Sequence, residues 1–206
     1  MSDLSLIRSQ VESFRCQHPI LGTDKLPLDL LTFVDIDLRL DLIPFDGLRR
    51  EFGADAALLA DFSGIYIDGE TYDLIDSAHE WQLNRLRFSL AHEIGHLVLH
   101  REFFEGQKLD SDGSFLQWLN EHNGEKYRLE QEANEFAGRL LVPVEVLQSH
   151  FESMKPAFNK LYGHHGWVND PNVREKACEM IAPKFGVHRD AISTRFERES
   201  IWPMVF

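Results

Sequence analysis

The chain has 206 residues, 43% of them hydrophobic, and carries a net charge of −13 from 21 basic and 34 acidic side chains. That length holds one domain, or one domain with a small helical appendage. The acidic balance argues against a general phosphate binder, which would gain its affinity from counterion release, and suits solubility or docking on a basic partner.

From the N-terminus, Leu4, Ile7, Val11 and Phe14 recur at helical spacing and predict a helix over 3–16. It stops at His18-Pro19, because the residue before proline avoids helical geometry. A short helix is expected from Leu28 to about Asp35. Residues 37–43 alternate polar and apolar, as a half-buried strand does. Two further strands are expected at Ala57–Phe62 and Gly64–Asp68, with Ser63-Gly64 as the break. A long helix follows over 80–100. Residues 101–126 are polar and irregular, with Phe115–Leu119 as a single helical turn; a stretch of this length either borders a cleft or is a surface insertion. Helices are then expected over 126–142, which Pro143 ends, over 144–161, over 172–184 and over 188–199, with a loop at Gly163–Pro171. Cys16 and Cys178 form no Cys-x-x-Cys pair, which fits a reducing compartment. The first residues carry charges throughout, unlike a secretory signal, and no apolar run nears the roughly 20 residues a membrane span needs. The expectation is a soluble cytoplasmic protein.

The long helix contains His92-Glu93-Ile94-Gly95-His96, the His-Glu-x-x-His pattern. Four residues apart, His92 and His96 share a helix face and can reach one metal ion. Glu93 is turned about 100° from His92, poorly placed to be a ligand but able to reach a water at the metal. The layout suggests a hydrolytic zinc site with Glu93 as general base; a surface helix that merely carries two histidines is the alternative. Leu83, Leu86, Leu90, Ile94 and Leu97 mark a buried face, and Gly95 in mid-helix points to close approach by another backbone or by substrate.

A catalytic zinc takes three protein ligands. The candidate for the third lies in Glu130–Leu141, where Glu130, Ala133, Asn134, Ala137 and Leu141 fall on one small-residue face. Glu130 would ride in with that face, and Asn134 could orient a ligating histidine through its second ring nitrogen. Glu130 could instead complement the helix dipole, and Glu132 is the rival donor. Glu132, Glu135 and Arg139 lie on another face and read as solvated. His100 is eight residues, about 12 Å, beyond His92 and cannot share one ion with it; it reads as a hydrogen-bonded structural histidine. His164-His165 reads as a solvated loop pair. No oxyanion donor can be chosen; His122, Tyr127 and Arg128 are near only in number.

Arg87-Phe88-Ser89-Leu90-Ala91-His92-Glu93-Ile94-Gly95-His96, taken with Glu130-Gln131-Glu132-Ala133-Asn134-Glu135-Phe136-Ala137 and the closing Leu140-Leu141-Val142-Pro143, resembles the ImmA/IrrE family of bacterial metallopeptidases. The resemblance covers residues 28–145 well and the C-terminal helices loosely. It departs in the 34 residues between His96 and Glu130, in Val142 where methionine is usual, and in leaving no room for the GAF-like sensor domain of some members. It implies an α+β fold with a mostly helical, zincin-like (gluzincin-like) core over 1–145 and a small mixed sheet, then a C-terminal helical subdomain over 146–206. It implies His92, His96 and Glu130 as ligands of Zn2+, with Mn2+ as the other candidate, and Glu93 as base. It further implies a cytosolic endopeptidase that cuts a helix-turn-helix (XRE-like) repressor or antitoxin and so relieves repression.

Three other functions compete with that expectation. The same fold could bind its partner without cutting it, or act by assembly as part of a toxin–antitoxin pair. The stretch Ile181–Phe196 has a helix-turn-helix cadence and could read DNA through Arg189, Arg195 and Arg198, but interleaved acids leave no basic stripe. A helical unit that packs on the core or holds the partner is the preferred reading of the tail.

Overall fold

The computed structural model describes residues 4–106, 123–163 and 166–202. It is an α+β molecule, mostly helical, with one three-stranded mixed sheet. The helices are α1 (Leu4–Gln17), α2 (Leu30–Thr32, continued by a π-helical turn at Phe33–Asp37), α3 (Leu48–Phe52), α4 (Gly69–Asp73), α5 (Glu80–Leu99), α6 (Arg101–Glu105), α7 (Gly124–Leu141), α8 (Val144–Tyr162), α9 (Pro171–Phe185) and α10 (Arg189–Arg198). The strands are β1 (Asp41–Phe45), β2 (Ala56–Leu58) and β3 (Gly64–Asp68), in the order β1-β3-β2. β1 runs parallel to β3, and β2 runs antiparallel to it on the other edge.

Two strand expectations need correction. The strand expected over 37–43 forms instead at Asp41–Phe45. Residues Phe33–Asp37 stay helical, Arg39 sits at φ 55°, and Leu40 N–H bonds back to Val34. The alternating leucines therefore close a helix end rather than line a sheet. Pro44 is tolerated because β1 is an edge strand, where a missing N–H costs no ladder bond. The strand expected to reach Phe62 ends at Leu58. There the chain turns, with Phe62 N–H bonded to Leu59 O and the Asp61 carboxylate accepting from both Ser63 N–H and Ser63 Oγ–H. Aspartate bonding its own backbone two residues on is a turn-forming device.

The long helices form where expected, within a residue or two. Of 101–126, the ends belong to α6 and α7, while Phe115–Leu119 and His122 lie outside the described residues, as do His164 and His165. α7 starts at Asn123, whose side chain accepts from Lys126 N–H at 2.8 Å. α9 starts at Asp170-Pro171 and stops at Gly186, which takes the left-handed conformation at φ 59°.

The centre of the molecule is the packing of α5 on α7. Leu90, Ala91 and Ile94 from α5 and Ala133, Phe136, Ala137, Leu140 and Leu141 from α7 are fully buried. Each large apolar side chain among them stabilises the fold by about 1.5–3 kcal/mol. Gly95 sets how near the helices come: a Cβ there would meet Ala133 Cα and O at 3.1 Å and Phe136 Cβ at 3.2 Å. Of the two causes the sequence leaves open for this glycine, approach by a neighbouring backbone is the one present. The core continues without a break into α8, α9 and α10 through Leu147, Phe151, Ile181, Phe185, Ile192 and Phe196.

No described helix is long and apolar enough to cross a membrane.

Candidate metal centre

α5 and α7 bring three of the four candidate residues to one point. His92 Nε2 lies 3.0 Å from His96 Nε2 and 3.1 Å from Glu130 Oε2, and His96 Nε2 lies 3.7 Å from Glu130 Oε1. Among the described residues these three alone form a metal-type cluster. A tetrahedral zinc site with bonds of about 2.0–2.1 Å has donor atoms roughly 3.3 Å apart. The observed separations bracket that edge, and two imidazoles with a carboxylate are a donor set that zinc accepts, so the residues fit a divalent cation.

The remaining ring nitrogens are also placed. His92 Nδ1 is 3.1 Å from Asn134 Oδ1. Donation from Nδ1–H to that oxygen leaves the Nε2 lone pair directed at the cluster. Asn134 thus stands where the sequence puts the residue that orients a ligating histidine. Glu132, the rival ligand, is not at the cluster; its Oε2 is 3.0 Å from His100 Nε2. Tyr127 is exposed, and Arg128 is drawn to Glu132 at 3.0 Å.

Electrostatics follow from burial and pairing. Burial pushes His96 down to about 4, so its imidazole is neutral at ordinary pH. Burial alone would raise Glu130, but hydrogen bonds from His92 and His96 outweigh it and hold the carboxyl well below its usual range. Burial alone would lower His92, yet Glu130 and Glu93 together raise it. Glu130 thus favours the protonated form of His92, and His92 the ionised form of Glu130, so a cation binding there competes with that proton.

Glu93 is buried beside this cluster but outside it. Its Oε2 accepts the N–H of Leu58, on edge strand β2, at 2.8 Å. Burial pushes its carboxyl up to about 7, against the pull of His92 and the Leu58 N–H. A carboxylate poised near neutral pH is what a general base requires. No local pattern marks the Leu58 contact, which joins residues 35 apart by a backbone N–H.

The cluster opens into a cleft of about 330 Å³ between β2 and α7, lined by Ala56, Leu58, His92, Glu93, Lys126 and Glu130 among others. Lys126 precedes Glu130 by one helical turn and shares its face. It is the only lysine or arginine lining the cleft among the described residues. That spacing was the one signal that could have singled it out. A second, mainly apolar groove of about 680 Å³ adjoins the first, sharing Phe88, Ser89 and Asn134 with it and running between α5 and the C-terminal helices past Trp81, Pro183 and Val187.

One expectation about α7 is overturned. None of Glu132, Glu135 and Arg139 is solvated: the Glu135 side chain is 2% exposed, with Arg195 at 2.5 Å, Arg139 at 2.6 Å and Arg198 also on it, and the Glu132 and Arg139 side chains are 13% and 11% exposed and ion-paired. The 3.6-residue repeat counts only faces, and Glu135 faces α10, an element the local pattern does not contain. The three arginines offered by the DNA-reading alternative are ion-paired here: Arg195 and Arg198 with Glu135, and Arg189 with Glu175 and Glu179.

No curated protein matches the chain. A family model does: the IrrE N-terminal-like domain of the M78 peptidases matches residues 78–197. The match begins beyond the sheet and extends well past residue 145, to the end of α10. It spans more than half of the chain and takes in both halves of the cluster, His92-Glu93-x-x-His96 on α5 and Glu130 on α7. The chain therefore belongs to the IrrE N-terminal-like family of metallopeptidases.

Proposed function

We propose that this chain is a zinc-dependent endopeptidase that cuts a helix-turn-helix repressor or antitoxin and thereby relieves repression. The observation that carries the hydrolase half is the convergence of His92 Nε2, His96 Nε2 and a Glu130 oxygen beside the buried, separately held carboxylate of Glu93. His92, His96 and Glu130 hold the ion, with Asn134 fixing the His92 ring. Zinc, when bound, supplies Lewis acidity that polarises a carbonyl and makes water easier to deprotonate. Manganese is the alternative occupant, since availability as well as affinity decides which metal is loaded.

The chain's own part is positioning and proton transfer. Glu93, with Oε2 fixed on Leu58 N–H, takes a proton from the attacking water and returns it to the leaving amine nitrogen. The two adjoining grooves offer room for side chains on both sides of a scissile bond, which suits a polypeptide more than a small molecule. The identity of the partner rests on the resemblance to the ImmA/IrrE family. The net charge of −13 is consistent with it, because a repressor presents a basic DNA-facing surface.

The test is incubation of zinc-loaded protein with the helix-turn-helix protein encoded beside it, with fragments read by mass spectrometry. Wild type should cut it, and Glu93→Gln should keep the metal and lose cleavage. Undiminished cleavage by Glu93→Gln would remove Glu93 from its role. Tight binding with no fragments from either protein would favour a partner-binding module that does not cut.

A further inference from the structure

Behind His96, on the side of its ring away from His92 and Glu130, hydrogen-bonding groups continue in a line. His96 Nδ1 is 3.0 Å from His100 Nδ1, His100 Nε2 is 3.0 Å from Glu132 Oε2, and Glu132 Oε1 is 3.0 Å from Arg128 Nη1. Both imidazoles are buried at 4% exposure, so neither proton is free to choose water instead.

Those contacts permit one arrangement of protons if His96 Nε2 is to point a lone pair at the cluster. A neutral imidazole has one N–H and one lone pair, so the His96 proton must sit on Nδ1. There it donates to His100 Nδ1, which must then be the acceptor. His100 consequently carries its own proton on Nε2, where it meets Glu132 Oε2. An ionised carboxylate only accepts, and Arg128 only donates, so the line ends without conflict. Reversing its direction would put the His96 proton on Nε2, facing His92 and Glu130.

We propose that His100 and Glu132 are positioning residues of the metal centre: a two-imidazole relay in which Glu132, anchored by Arg128, sets the tautomer of His100 and through it keeps the His96 Nε2 lone pair aimed at the ion. The proposal rests on the reading that His92, His96 and Glu130 hold a divalent cation. It gives a purpose to the third histidine of the row His92, His96, His100, which is too far along the helix to be a ligand itself. It also gives one to Glu132, which shares α7 with Glu130 but turns to the outer side of the same histidine. Carboxylate partners of this kind fix the ring and raise the basicity of a ligating histidine, and their loss lowers metal affinity by about 10–100-fold.

The experiment is zinc affinity of the metal-free full chain, measured by competition with a coloured chelator, beside thermal melts of the same samples without metal. Two substitutions of His100 divide the relay. His100→Asn places an amide oxygen near the position of Nδ1 and keeps an acceptor for His96. His100→Gln places its amide near Nε2 and keeps only the contact with Glu132. The expected result is a loss of about 10–100-fold for His100→Gln and for Glu132→Ala, with most of the affinity recovered in His100→Asn. A merely structural histidine would give Asn and Gln variants of equal affinity, and that equality, or wild-type affinity in both His100→Gln and Glu132→Ala, overturns the relay. The Asn–Gln comparison decides even if Glu132→Ala fails to fold. Should wild type itself bind no zinc, the metal reading fails and takes the relay with it; that outcome differs plainly from wild type binding tightly while its variants match it.

Discussion

Glu135→Ala should unfold this protein far more easily than the loss of an ordinary surface acid would. Glu135 and Glu199 are the two carboxylates among three guanidiniums, those of Arg139, Arg195 and Arg198. Removing Glu135 leaves Arg195, 2% exposed, with Glu199 at 3.4 Å as its remaining ion partner. Breaking a buried pair from one side costs about 3–5 kcal/mol, because the other charge stays buried. Arg198 is about a third exposed and can turn to water, and Arg139 keeps Glu199 at 2.7 Å. Both reliefs place the loss near the lower end, about 3 kcal/mol, or roughly 6–12 °C in Tm for a domain of this size. Urea titration at pH 7 followed by circular dichroism measures it. The dependence on pH is a second reading. Burial alone would raise the Glu135 carboxyl, but Arg195, with Arg139 and Arg198, outweighs it and holds the carboxyl below its ordinary range. A depressed folded pKa contributes stability that is whole above the unfolded value, about 4.3, and is lost as pH falls through the folded one. The gap between wild type and Glu135→Ala should therefore be constant from about pH 5 to 7 and close in acid. A loss below about 1 kcal/mol, the worth of an exposed pair, would refute the buried clamp and return Glu135 to solvent.

Other outcomes follow from the same geometry. Glu130→Gln should weaken zinc binding severely while leaving the metal-free fold near wild type, since Glu130 is about a third exposed; unchanged affinity in the chelator competition would move the third ligand elsewhere. Gly95→Val should cost about 1–3 kcal/mol from overpacking and also weaken zinc binding, because α7, which carries Glu130, is what the new methyls push; equilibrium unfolding and the same competition check both. A thiol reagent on the native protein should modify Cys16 quickly and Cys178 only after unfolding. Cys16 is exposed, whereas Cys178 is buried and its thiol is pushed up to about 11 by that burial. Two fast equivalents in a colorimetric thiol titration would contradict it.

What could be read from the sequence was whatever lies along one helix. His92 and His96 needed only the four-residue repeat, and Glu130 and Asn134 only the small-residue face that carries them inward. Gly95 marked the place where two backbones nearly touch, although the sequence did not say which body would approach. The strands were legible as elements but not in their limits, because Leu38 and Leu40 alternate like a sheet and are used to close a helix end. Arg39 at positive φ is the physical reason, and nothing about an arginine announces it.

Contacts across elements were the harder part, and they fall on both sides of α7. One side turns Glu130 and Asn134 to α5 and the cluster; the other turns Glu135 to α10. Periodicity distinguishes the two sides but assigns a partner to neither, so an acid that faces arginines 60 residues away looks identical to one that faces water. The consequence is mechanical. α7 cannot shift toward or away from His92 without also pulling on Arg195, because Glu135 lies only five residues from Glu130 on the same rigid helix. The C-terminal helices thus help fix the distance between Glu130 and His92, a physical reason for a family pattern that begins just before α5 to continue through α10.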